Sequence, residues 1–236
     1  MENYGTFRTA PMSPVAAAER VTAFLRKVYG WMSVGLAVTA FVALQVASSP
    51  TILRVLTSSP IVILLLIGAQ LALVFTLSAR AARLAPSTAT GLFVAYSALT
   101  GVTISFVLLA YTGESVASTF LVTATMFGAM ALYGTATKRS LAGFGQFMFM
   151  GLVGIILASI VGIFWHNDAL QFVISAIGVI VFTGLAAWDA QRMKQMALAV
   201  PEGQIGSYAI VGALSLYLDF INLFLFLLRF MGNRRE

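Results

Sequence analysis

One carboxylate, Asp219, stands in the middle of the otherwise apolar stretch SYAIVGALSLYLDFINLFLFLLR, Ser207 to Arg229. A charged carboxylate in hydrocarbon costs several kcal/mol or more, so such an acid must face protein or water and find a partner. On a helical repeat Ser215, Asp219, Asn222 and Arg229 share about a quarter of the circumference, while Leu218, Ile221, Leu225 and Leu228 spread over the rest. Few other groups can ionise at this depth. Asp189 stands within AWDAQRMKQM at the end of the sixth apolar run, one turn ahead of Arg192, and Arg80 ends an apolar run that carries Gln70 nearly three turns deeper. Two carboxylates meeting in a poorly hydrated site cannot both be charged cheaply, so they trade a proton and titrate as a pair. Ca²⁺ takes about 6–8 oxygen ligands. Asp189, Asp219, Ser215, Asn222 and backbone carbonyls offer some of these, which makes a weak, transient site from which an ion can leave.

The rest of the chain must supply helices to hold these groups. It is 60% hydrophobic and 9% charged with a mean hydropathy of +0.95. A soluble domain is about a quarter charged, so this is the composition of a protein whose main partner is the lipid bilayer. The net charge of +6 fits basic loops gathered on one membrane face rather than a nucleic-acid partner. With no cysteine and one histidine, His166, disulfides, thiol chemistry, His triads and multi-histidine metal sites are excluded. His166 reads as a solvated loop residue, and no cofactor is expected.

The apolar runs predict an all-α, polytopic membrane protein of seven transmembrane helices. The spans are expected near 28–46, 60–77, 90–111, 117–135, 142–164, 170–188 and 207–229, the sixth continuing as a polar helix. Residues 1–22, polar and carrying two prolines before Val15, are expected as a flexible amino-terminal arm, and 23–236 as the transmembrane domain. With the amino terminus cytoplasmic, ten basic residues fall inside (Arg8, Arg20, Arg26, Lys27, Arg80, Arg83, Lys138, Arg139, Arg192 and Lys194) and only Arg54, Arg234 and Arg235 outside. The arginines of the tail MGNRRE oppose that bias, so a re-entrant last span returning both ends inward is the rival. Gly151, Gly154, Ala158 and Gly162 form a small-residue ladder that predicts close helix packing.

Three segments go further. AFLRKVYGWMSVGLAVTA, FTGLAAWDAQRMK and SLYLDFINLFLFLLRFMGNRR resemble the Bax inhibitor-1 (TMBIM) family in its bacterial branch, in a match running from about Ala23 to the end. The resemblance implies a last helix wrapped by the other six, and a pH-sensitive calcium leak with Asp189 and Asp219 as the proton sensor. It also implies a latch from Arg80 to Asp189 in the closed state. Relatives commonly carry an acid at the position of Gln70, so this chain lacks one negative charge along the implied path. Each role has a structural alternative. Asp219 can serve helix packing, Asp189 can simply pair with Arg192, and Arg80 can be a membrane-face anchor. A second function, modulation of a membrane-anchored quality-control protease, would use the arm at residues 1–20. Intramembrane aspartyl hydrolysis is disfavoured, because the G-x-G-D signature is missing around both acids. The reading is therefore of a non-enzymatic protein of a bacterial inner membrane, leaking calcium and sensing protons.

Overall fold

The computed structural model describes residues 13–165 and 167–235, so His166 and residues 1–12 of the expected arm lie outside it. Three helices start the same way, at a serine followed by proline. Ser13, Ser49 and Ser59 each accept a hydrogen bond from a backbone N–H of the first turn, with Pro14, Pro50 and Pro60 in the first helical position. This caps α1 (Pro14–Ala47), α2 (Pro50–Thr57) and α3 (Pro60–Ala79). Pro86 opens α4 (Pro86–Ala110) and Thr112 caps α5 (Gly113–Ala136), followed by α6 (Ala142–Phe164). Asn167 caps α7 (Asp168–Ala199), and after a short 3₁₀ turn comes α8 (Ile205–Met231). All but α2 are long and apolar enough to cross a membrane, giving seven candidate spans.

Two boundaries differ from the sequence reading. Residues 14–22, expected within the flexible arm, form the first turns of α1, because the Ser13–Pro14 cap and the run Ala16-Ala17-Ala18 favour helix. The connection after the first span contains α2, capped by Ser49 in the same manner.

Long-range hydrogen bonds sort the helix ends. At one end Arg20 Nε donates to the Ala197 carbonyl at 2.8 Å, and its guanidinium also reaches the Val200 carbonyl. These bonds join the start of α1 to the end of α7, and Pro86 at the start of α4 lies beside Gly206 at the start of α8. At the opposite end the tail after α8 is tied to the α4–α5 turn. Thr112 N–H donates to the Asn233 carbonyl at 3.1 Å, Arg235 N–H to Ala110 at 3.0 Å, and Asn233 N–H to Ser115 Oγ at 2.9 Å. The last span therefore crosses from one end to the other. The re-entrant alternative is corrected, because the tail's backbone finds its partners at the far end.

Gln191 clamps a loop to α7. Buried there, it accepts from Leu141 N–H at 2.8 Å and donates from Nε2 to the Arg139 carbonyl at 2.9 Å. Gln191→Leu strands both backbone groups, at about 1–3 kcal/mol. The expected outcome is faster tryptic cleavage after Lys138 and Arg139 in the intact protein; an unchanged cleavage rate would show that the clamp does not restrain the loop.

α8 packs against α1, α3, α4, α5 and α7, and it carries the largest buried share of any span. α6 covers α7 rather than α8, so the wrap of six implied by the resemblance is completed by five helices. The small-residue ladder of α6 is only partly used. Gly151 approaches Val181 and Gly162 approaches Gln171, but a side chain at Gly154 would meet open space. Backbone-to-backbone approaches between helices are elsewhere, where Gly134 of α5 lies on the Ala187 carbonyl and Gly101 of α4 on the Thr39 carbonyl of α1.

Candidate functional site

α7 and α8 run antiparallel as neighbours, and this pairing brings the two acids together. Asp189 is 7% exposed and Asp219 6%. Their carboxyl groups lie close enough to interact with one another, with the Ser215 side chain near Asp189. Oδ1 of Asp189 and Oδ2 of Asp219 have no hydrogen-bond donor among the described residues. A buried acceptor without a donor carries a desolvation cost of about 1–3 kcal/mol, more when charged. The chain thus holds acceptor capacity at this point that helix packing does not require.

The surroundings make the pair asymmetric. Arg192, half exposed, places Nη1 4.0 Å from Asp189 Oδ1 and its guanidinium 5.7 Å from the Trp188 ring centre. Asp219 has no ion pair among the described residues. The interfacial Asp189–Arg192 pairing weighed from the sequence therefore exists, and it coexists with the carboxyl pair. Arg80 does not join them. It caps the end of α3, exposed, and makes no ion pair among the described residues. Gln70 is likewise apart, donating from Nε2 to Thr103 Oγ1 on α4 at 2.8 Å.

Asn222 lies one turn beyond Asp219 and spends its amide on the Leu218 carbonyl at 2.8 Å. It also lines a cleft of about 620 Å³ between α6, α7 and α8, with Ser159, Gln171 and Arg229. Neither acid lines that cleft. Two carboxylates and a hydroxyl fall short of a full Ca²⁺ cage. No group of three or more His, Cys, Asp or Glu side chains suited to a metal occurs among the described residues.

One buried polar element escaped the sequence reading. The Tyr217 hydroxyl lies 2.6 Å from Thr39 Oγ1, which itself donates to the Ser97 carbonyl at 2.9 Å, so the phenol is the donor to Thr39. Phe93 and Tyr96 meet the Tyr217 ring edge-on, at centroid distances of 5.7 and 5.9 Å. This chain fixes α8 to α1 and α4 on the face away from α7, and so holds Asp219 toward Asp189. The available signal was a phenol in mid-span two residues before an acid. Its partners are scattered over two other helices.

Fold and site together define a multi-pass, all-α membrane protein with a carboxyl pair between its last two spans. The comparisons name its kind. Residues 21–236 match the family described as "Inhibitor of apoptosis-promoting Bax1", and the chain belongs to the Bax inhibitor-1 family. It is 51% identical over 215 residues to "Inner membrane protein YbhL" of Escherichia coli (strain K12), covering 90% of this chain and 92% of that one. A Borreliella burgdorferi protein is 43% identical over 215 residues, covering 90% of this chain and 93% of its own. "Uncharacterized protein RP147" of Rickettsia prowazekii is 48% identical over 134 residues, 56% of this chain and 57% of that protein.

Proposed function

We propose that the protein is a pH-sensitive cation leak, with Ca²⁺ as the transported ion and the Asp189–Asp219 pair as the gate. The observation that carries the proposal is the meeting of two buried carboxyl groups, each with an oxygen lacking a donor among the described residues, between adjacent spans. Protonation removes negative charge from the pair and with it the attraction for a cation. Deprotonation adds a second charge that Arg192, Arg80 after a movement of α3, or an entering cation must neutralise. Such a site binds weakly enough to release what it binds. The reading is of transport, not catalysis, and needs no resident cofactor.

The described basic residues divide between the two ends of the bundle. Arg20, Arg26, Lys27, Arg80, Arg83, Lys138, Arg139, Arg192 and Lys194 lie toward the end where α1 begins. By the positive-inside rule we place that end, and the amino terminus, in the cytoplasm. The bacterial relative named as an inner membrane protein supports an inner-membrane location. The test is calcium entry into proteoliposomes carrying the full chain and a trapped indicator. Flux above that of empty vesicles, differing between acidic and alkaline buffer, is expected. Flux equal to empty vesicles, or flat across pH, rejects the proposal.

A further inference from the structure

α1 packs on α4 and α8, whereas α5 packs chiefly on α7 and α8. Between α5 and the α1–α4 pair lies a groove of about 660 Å³, floored by α8. Its walls are apolar: Ala40 and Ala43 keep the α1 side low, and Leu108, Phe120 and Phe224 form the rest. Polar groups occur only toward its two ends. Thr39 lies at the inner end, and its hydroxyl is already engaged with the Ser97 carbonyl and Tyr217. Ser48 and Arg235 lie at the outer end, with the Arg234 guanidinium 6.0 Å from the Tyr111 ring centre close by.

We propose that this groove holds one acyl chain of an anionic phospholipid from the leaflet at the Arg235 end, with Arg235 at the lipid phosphate. Length supports a single leaflet. Thr39 to Ser48 spans about 13 Å at ~1.5 Å per helical residue, close to half of the ~30 Å hydrocarbon thickness. Charge supports the head group, because the groove's one cationic side chain stands where a lipid phosphate would lie. The inner end supports a methyl terminus, because Thr39 already gives its proton away within the protein. A bound chain would fill the gap that α5 leaves open and lie along Phe220 and Phe224 of the central helix.

The test uses the full chain in liposomes containing phosphatidylglycerol with a photoactivatable group at the end of one acyl chain, followed by peptide mapping. Cross-links concentrated on Leu36, Ala40 and Ile104, at the inner end of the groove, are expected. Cross-links spread evenly over lipid-facing positions such as Leu64 and Phe149 would overturn the proposal, as would a single-span protein found occupying the groove. Ala40→Phe, placed on an exposed position, should remove the groove cross-links and leave those on α3 unchanged. Arg235→Gln should lower retention of phosphatidylglycerol relative to phosphatidylethanolamine about fivefold, the worth of one basic side chain near a lipid surface. Full head-group preference in that variant would overturn the assignment of Arg235.

Discussion

Replacing Asp219 by asparagine is expected to cut calcium flux at least ~tenfold and to flatten its pH dependence, since ~1.4 kcal/mol of lost attraction is already a factor of ten. The physical basis is the strength of charge at short range. Two unit charges ~4 Å apart interact by about 4 kcal/mol at an effective dielectric constant of ~20, so deleting one buried carboxylate exceeds that threshold with room to spare. Asparagine keeps the shape and removes only the titration, so the variant should fold; relief of repulsion with Asp189 leaves its thermal stability unchanged or raised. Asp189→Asn should do the same. The decisive measurement is the double variant. If the two acids act as one unit, either substitution removes the response and the second adds little, a strongly non-additive cycle. Flux losses that simply multiply would mean two independent carboxylates, and a retained pH profile in either single variant would end the gate hypothesis.

The second large effect concerns helix packing behind the site. Gly134→Ala is expected to lower the melting temperature in detergent by about 5–10 °C, the scale of a 2–3 kcal/mol overpacking penalty in a chain of this size. Glycine to alanine inside a helix normally gains about 1 kcal/mol. Here the added Cβ would fall on the Ala187 carbonyl, and backbone cannot swing aside as a side chain can. α5 and α7 would have to move apart two residues from Asp189. Gly128→Ala on the same helix is the control, because a Cβ there meets nothing within 4 Å and the normal helix gain should appear. Equal behaviour of the two variants would show that the α5–α7 contact is soft.

Much of the architecture was open to reading because hydrocarbon imposes strict rules on sequence. Each apolar run of bilayer length became a helix, and the fifth, Ala142–Phe164, matched the expected bounds at both ends. The starts of α1 and α2 were missed for one reason. A serine–proline pair reads as a turn when hydropathy alone is followed, yet it is also the cap and first residue of a helix. The glycine ladder misled in a related way, because spacing says which residues share a face but not whether a neighbour is there. Gly154 faces open space, while the unremarked Gly134 and Gly101 lie against the backbone of a neighbouring helix.

For the site, composition and depth singled out Asp189 and Asp219. An acid surrounded by apolar residues is too costly to be left without an interior environment, so its position was informative without any fold. Tertiary structure alone decided which groups from other helices meet it. Antiparallel packing of α7 on α8 joins two acids thirty residues apart in the chain. Arg192, one turn on along α7 itself, was legible from spacing, whereas the packing of the other helices leaves Arg80 outside on α3 and turns Gln70 toward Thr103. It also threads Thr39, Ser97 and Tyr217 into a hydrogen-bonded chain that no spacing announces. The reason is general: burial cost is a property of one residue in its own segment, whereas partnership depends on where other segments come to rest.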